Sequence, residues 1–257
     1  MRLAPIAQTL RDQWAASRGR YFLVDDLLDE SLATDIYRRF PSSDRMMVRN
    51  TLREHKYVAA QMDQFDPLLE EIVFGFQEPG VRAVMESITG IRDQLPDSRL
   101  YAGGISMMAK GHFLNPHLDN SHDVSREAYR VVNLLYYVSP GWRLEDGGNL
   151  ELWPQGLDGT PLTLHSKFNR LVVMATDATS WHSVNPIKVD KQRCCVSNYF
   201  FSRTAPLGTD YFHVTSFRGR PEQPVRDLVL RADAALREGV RKVFPRGIAK
   251  TKHIYKK

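Results

Sequence analysis

The chain has 257 residues, 42% hydrophobic and 25% charged, enough for a sizeable core without disulfides and unlike a disordered or collagen-like chain. Its 35 Lys and Arg against 30 Asp and Glu give a formal charge of +5, but residues 203–257 hold 13 basic against 5 acidic residues, so a basic end follows a slightly acidic body. With no long apolar run, charges scattered through Met1–Trp14, and only the neighbouring Cys194 and Cys195 as thiols, the sequence predicts no transmembrane helix, no signal peptide, no disulfide framework and a cytoplasmic location.

In chain order, Tyr21–Val24 reads as a short strand, and Asp29 can cap a helix whose apolar positions are Leu32, Ile36 and Tyr37. Residues 65–76 and 80–89 read as further helices. From about Leu100 to Arg203 the texture turns to β. The runs 104–108, 131–138, 149–153, 171–175 and 194–201 are separated by turn chemistry such as Glu145-Asp-Gly-Gly148 and Leu157-Asp-Gly159. A strand over Tyr211–Val214 follows. A helix then runs from Pro224 to about Val243, with Val225, Leu228, Val229, Ala232, Leu236 and Val240 along one side, and Pro245 ends it. The pattern predicts an α+β fold, an antiparallel sandwich or barrel with helices outside it. It reads as one domain over 1–257: a helical part to about 100, a β core over about 101–215, and a basic helical end over about 220–257.

His117-Leu-Asp119 follows a predicted strand, where residues i and i+2 point to one side. His182 lies 63 residues after Asp119, at the end of a second β run. Two His and one carboxylate on a β scaffold form the facial triad of non-haem Fe(II) oxygenases, which leaves metal positions open. Eleven residues further on, Arg193 opens an apolar strand, a position suited to a bidentate grip on a carboxylate.

Six stretches carry a resemblance: His117-Leu-Asp-Asn120, Arg130-Val-Val-Asn-Leu-Leu-Tyr-Tyr137, Gly147-Gly-Asn-Leu-Glu-Leu-Trp-Pro154, Phe168-Asn-Arg-Leu171, Trp181-His-Ser-Val184 and Arg193-Cys-Cys-Val-Ser-Asn-Tyr-Phe200. In their order and spacing, residues 101–203 resemble the catalytic core of the Fe(II)/2-oxoglutarate-dependent dioxygenases, in particular the prolyl-hydroxylase-like branch. The resemblance implies a double-stranded β-helix (jelly-roll) core with N- and C-terminal helices around it. It implies Fe(II) held by His117, Asp119 and His182, with 2-oxoglutarate and O2 as cosubstrates. Arg193 and Tyr137 then take the distal carboxylate of 2-oxoglutarate, and Asn133 occupies a cosubstrate-facing position. The implied reaction is hydroxylation of an unactivated C–H bond with release of succinate and CO2.

Three positions refine this. Met107 stands ten residues before His117, where some relatives have a tyrosine that contacts the cosubstrate. Tyr199 stands where nucleic-acid demethylases of the superfamily carry a second Arg, which argues against nucleic acid as substrate. Asp119 is present where halogenases have Ala or Gly, which favours oxygen insertion. The expected substrate is a small molecule or biosynthetic intermediate, with an anionic one among the candidates; a prolyl or other protein side chain is the alternative. A competing reading from another class is a non-oxidative β-barrel binding protein.

His112, His122 and His165 lack paired spacing and read as surface or supporting residues. Trp181 reads as core or pocket wall, and Asp146-Gly-Gly148 as a turn. Of Cys194 and Cys195, which alternate across a strand, at most one faces the pocket. The basic residues Arg237, Arg241, Lys242, Arg246, Lys250, Lys252, Lys256 and Lys257 read as a solvated face and tail, or as a patch attracting an anion.

Overall fold

A computed structural model of the chain describes residues 3–243 and 254–256. In chain order the elements are α1 (Ala7–Ala16), β1 (Tyr21–Val24), α2 (Glu30–Arg38), β2 (Met47–Asn50), β3 (Glu54–Ala59), α3 (Pro67–Gly75), α4 (Pro79–Thr89), β4 (Leu95–Pro96), β5 (Gly104–Met108), β6 (Phe113–Leu118) and β7 (Tyr129–Tyr137). They continue with β8 (Leu150–Leu152), β9 (Leu162–Leu164), β10 (Arg170–Ala175), β11 (His182–Val184), β12 (Arg193–Ser202), β13 (Ser216–Phe217) and α5 (Pro224–Val243).

The helices have local causes. Pro67 and Pro79 sit in the first turns of α3 and α4, where a missing N–H is harmless, and Asp66 caps α3 by accepting from the Leu68 N–H at 3.0 Å. Gly90 ends α4 at φ +71°, the left-handed exit that glycine adopts without penalty. α2 starts with Asp29 at its N-cap position and buries Ala33 and Ile36, while Leu32 faces outward.

All strand pairings are antiparallel, and the path β1-β10-β7-β12-β5-β3-β6-β11-β8-β9 curls into a half-barrel of the jelly-roll kind. Its two faces differ because side chains alternate along each strand. Outward residues such as Leu134, Tyr136, Val173, Cys194, Val196 and Phe200 pack with Leu10, Trp14, Leu69, Phe76, Met85 and Ile88 of α1, α3 and α4 in the largest core. Truncating a side chain as deeply buried as Phe200 costs about 3–5 kcal/mol. The inward residues alternate with these: Glu54, Lys56 and Val58 on β3, Ser106 and Met108 on β5, Asn133, Leu135 and Tyr137 on β7, and Arg193, Cys195, Ser197 and Tyr199 on β12 all line one cavity. Of the two cysteines, only Cys195 faces inward.

Two expectations are corrected. Besides the expected strand β1, the stretch before residue 100 contributes the β2–β3 hairpin to the sheet, with β3 between β5 and β6. Residues 211–214 form no strand. Ser121 and His213 exchange hydrogen bonds through the Ser121 hydroxyl instead of a ladder, and the chain pairs with β6 only at Ser216–Phe217.

α5 presents its other side to the protein. Val225, Leu228, Val229 and Leu236 are exposed, and the helix is fastened by buried Leu230 and by ion pairs of Asp227 with Arg218 and of Asp233 with Arg53. Charged residues on the inner face outcompete the apolar stripe because they meet complementary partners at the barrel rim. Of the basic end, Arg237 lies on this inner face; Arg246, Lys250, Lys252 and Lys257 lie outside the described residues, as does Pro245.

Candidate active site

His117 on β6 is directly opposite His182 on β11 in the antiparallel register, so strand pairing itself brings the two imidazoles together, with ring centroids 4.0 Å apart. Asp119, one residue beyond the end of β6, turns its carboxylate back to them: Oδ1 is 3.8 Å from His117 Nε2 and Oδ2 is 3.7 Å from His182 Nε2. Among the described residues these three form the only group of at least three His, Cys, Asp or Glu whose ligand atoms could hold one metal ion, all within 4.8 Å of one another. His117 Nδ1 lies 3.0 Å from the Asn115 carbonyl and His182 Nδ1 2.9 Å from that of Ser180. Those carbonyls take the Nδ1 protons and leave both Nε2 lone pairs free, the second-shell arrangement of metal-bound histidines. Burial, then the neighbouring His182, lowers His117 to about 3, which keeps it neutral and ready to ligate.

The triad opens into a cavity of about 390 Å³. Across it, at the start of β12, stands Arg193, 4% exposed, with its guanidinium 5.2 Å from the centroid of the Tyr137 ring and 2.9 Å from Met108 Sδ. The Arg193 Nε and the Tyr137 hydroxyl have no hydrogen-bond partner in the protein, although both are buried. Burial pushes the Tyr137 phenol well above its usual range, so it stays a neutral donor. A buried guanidinium with no carboxylate beside it among the described residues and a free Nε, next to an unpaired phenol donor, is costly unless an acceptor is bound there. The site therefore suits a carboxylate.

Residues 103–201 match the family model described as 2OG-Fe(II) oxygenase superfamily. The β core belongs to the 2OG-Fe(II) oxygenase superfamily. That superfamily works with Fe(II), 2-oxoglutarate and O2, and the relatives that the chain resembles include prolyl hydroxylases. Over 117 residues the chain is 32% identical to prolyl 3-hydroxylase OGFOD1 of Xenopus laevis, a match that covers 42% of this chain but only 22% of that protein. Among solved structures it resembles a Pseudomonas putida prolyl-4-hydroxylase, with TM-score 0.57, 18% identity and coverage of 76% of this chain and 97% of that one. It also resembles a Trichoplax adhaerens prolyl hydroxylase in complex with a hypoxia inducible factor peptide fragment, with TM-score 0.56, 15% identity and coverage of 80% and 94%. At these identities the structural likenesses speak for the fold.

In this oxygenase domain the other expected residues fall as follows. Asn133 lines the cavity, but its amide donates to the Tyr199 hydroxyl at 3.2 Å while its Oδ1 has no partner. Met107 faces the helix-side core, and the neighbouring cavity-facing side chains are Ser106 and Met108. Trp181 does not line the cavity. His112 stacks on His55, His122 pairs with Ser121, and His165 reaches the Trp142 carbonyl.

Sequence reading missed Arg130. It is 2% exposed, reaches Asp119 Oδ1 at 3.3 Å and Asn120 Oδ1 at 2.7 Å, and lies over the Tyr199 ring at 4.3 Å. Burial alone would raise Asp119, but Arg130, with the two histidines, pulls it down to about 2 and keeps it ionised. The available signal was a guanidinium opening an otherwise apolar strand. Gly148 was read as part of a turn, yet a Cβ there would lie 3.1 Å from Arg193 Cδ and 2.8 Å from Ile187 Cγ1, so it leaves room for the Arg193 stem.

Proposed function

We propose that the chain, working as one domain, is a hydroxylase that inserts oxygen into an unactivated C–H bond of a small-molecule substrate, converting 2-oxoglutarate and O2 to succinate and CO2. The observation that carries this reading is that the His117/Asp119/His182 triad and the partnerless Arg193–Tyr137 pair line one cavity. His117, Asp119 and His182 would hold Fe(II) on one face, and Arg193 and Tyr137 would take the distal carboxylate of 2-oxoglutarate. Bound there, Fe(II) would let O2 act as the oxidant, with 2-oxoglutarate giving two of the four electrons as it loses CO2 and the C–H bond giving the other two. The protein's own work is positional: carbonyls fix the His tautomers, Arg130 holds Asp119 ionised, and the inward faces of β3, β5 and β7 wall the space in which a C–H bond is aligned.

The test is Fe(II)- and 2-oxoglutarate-dependent succinate formation under air, lost in His182→Ala and in Asp119→Ala. Anaerobic protein with Fe(II) and 2-oxoglutarate is expected to show the weak visible charge-transfer band of the chelate. Its absence in protein that binds Fe(II) overturns the cosubstrate assignment.

A second reading, hydroxylation of a prolyl residue in a polypeptide, draws on the named relatives and on one surface feature. The β2–β3 hairpin at the cavity mouth exposes Met47, Val48 and Leu52, which could lie against a peptide. Stimulation of 2-oxoglutarate turnover by proline-containing peptides and not by small molecules would select it.

A further inference from the structure

The rim of the cavity carries four cations that neither the metal nor the cosubstrate reading uses. Lys56 points inward from β3, Arg49 and Arg53 come from the β2–β3 hairpin, and Arg237 comes from α5, 184 residues after Arg53; all four line the cavity. Two carboxylates serve them. Glu54 lies 2.9 Å from Lys56 and 3.5 Å from Arg49. Asp233 accepts from Arg53 Nε at 3.1 Å and from Arg237 Nε at 3.0 Å. Four positive charges on two carboxylates leave an excess; deeper in the cavity Arg130 is paired with Asp119, and Arg193 is the residue assigned above to the cosubstrate.

The excess is reachable and concentrated. The four side chains are 20–39% exposed, enough to meet a solute and too little for full hydration. The Arg237 guanidinium is lowered by burial and then by the charge of Arg53, so the two forks repel each other above their shared carboxylate. Lys56 lines the same cavity as His117, Asp119 and His182, which ties the rim to the triad. Like charges gathered in a partly desolvated mouth raise the free energy of the ligand-free protein, and an anion relieves it. Two guanidinium forks and an ammonium lining one cavity suit a tetrahedral dianion better than a single carboxylate.

We propose that this rim selects the substrate: a small molecule bearing a phosphate or an equivalent dianion, held by Arg53, Arg237 and Lys56 while its C–H bond faces the triad. This rests on the oxygenase reading above. The cavity, about 390 Å³, is of small-molecule size, and Arg237 from α5 lines it beside Arg53 of the hairpin, the two sharing Asp233.

Inorganic phosphate is the probe, titrated at constant ionic strength into full-length protein loaded with Mn(II) and 2-oxoglutarate. Phosphorus NMR relaxation by the bound Mn(II) reports phosphate inside the cavity, and electron paramagnetic resonance counts bound Mn(II) separately. The expected result is saturable relaxation enhancement that weakens about tenfold or more in Arg53→Met/Arg237→Met. Asp233→Asn, which frees both forks, is expected to tighten phosphate, and this arm stands if the double variant fails to fold. Normal Mn(II) loading without saturable enhancement overturns the proposal. So does phosphate binding indifferent to both variants, or a fall in 2-oxoglutarate affinity parallel to that in phosphate, which would assign the rim to the cosubstrate. No bound Mn(II) at all would instead refute the triad as a metal centre.

Discussion

Arg130 decides what Asp119 can do. Burial alone would carry the Asp119 carboxylate towards protonation, and the Arg130 guanidinium at 3.3 Å prevents that. Arg130→Met is expected to lower Fe(II) affinity by about 10–100-fold, the usual cost of losing an outer-shell partner, with Arg130→Lys recovering part of it; titration with Fe(II) under anaerobic conditions checks both. Gly148→Ala is a sharper probe of the cosubstrate end. Its φ of +66° disfavours any side chain, and the new Cβ would press on the Arg193 stem, so KM for 2-oxoglutarate should rise while Fe(II) affinity holds. At this scale the sequence was readable where placement follows spacing along one strand. His117 with Asp119, and Arg193 at a strand start, fall in that class. Arg130 and Lys56 come to the cavity wall, and Gly148 to the Arg193 stem, only through partners on other strands, at separations that no local pattern encodes.

The strand carrying His182 is short, and a buried network holds it in place. Glu151 on β8 accepts from Ser183 at 2.6 Å and from Arg220 at 2.7 Å, and Ser183 in turn accepts from the Trp153 indole at 2.9 Å. Arg220→Met leaves the Glu151 charge buried without its partner, an expected loss of about 3–5 kcal/mol, measurable as a shift in the urea midpoint. Most elements were legible because hydrophobic period and turn residues agreed: Tyr21–Val24, the helices around 67–75 and 79–89, and the five core strands appear within a few residues of expectation. Two failures share a physical origin. β2 and β3 carry mostly polar or charged side chains into a cavity, which hides the period-2 signal. α5 offers an amphipathic stripe that points outward because its charged face is the one with partners.

For the molecule as a whole, acid should begin to destabilise the fold below about pH 6.5. Burial, then the nearby charge of His55, lowers His112 to about 4 in the folded protein, against an ordinary value near 6.5. Between those values the unfolded chain takes up a proton that the folded one refuses, so its stabilising share is complete above about 6.5 and lost as pH falls towards 4. His112→Asn should flatten that part of the curve of stability against pH in metal-free protein, as read from urea unfolding at stepped pH.

β6 has one edge covered by two segments far apart in the chain: β3 pairs at Phe113 and Leu114, and β13 at His117 and Leu118. All three triad residues precede β13, yet Arg237 of the rim follows it. The cavity mouth is thus drawn from both sides of β13: the hairpin residues Arg49, Arg53 and Lys56 come before it in the chain and Arg237 after it. The two halves therefore meet only when β3 and β13 lie along the same edge of β6.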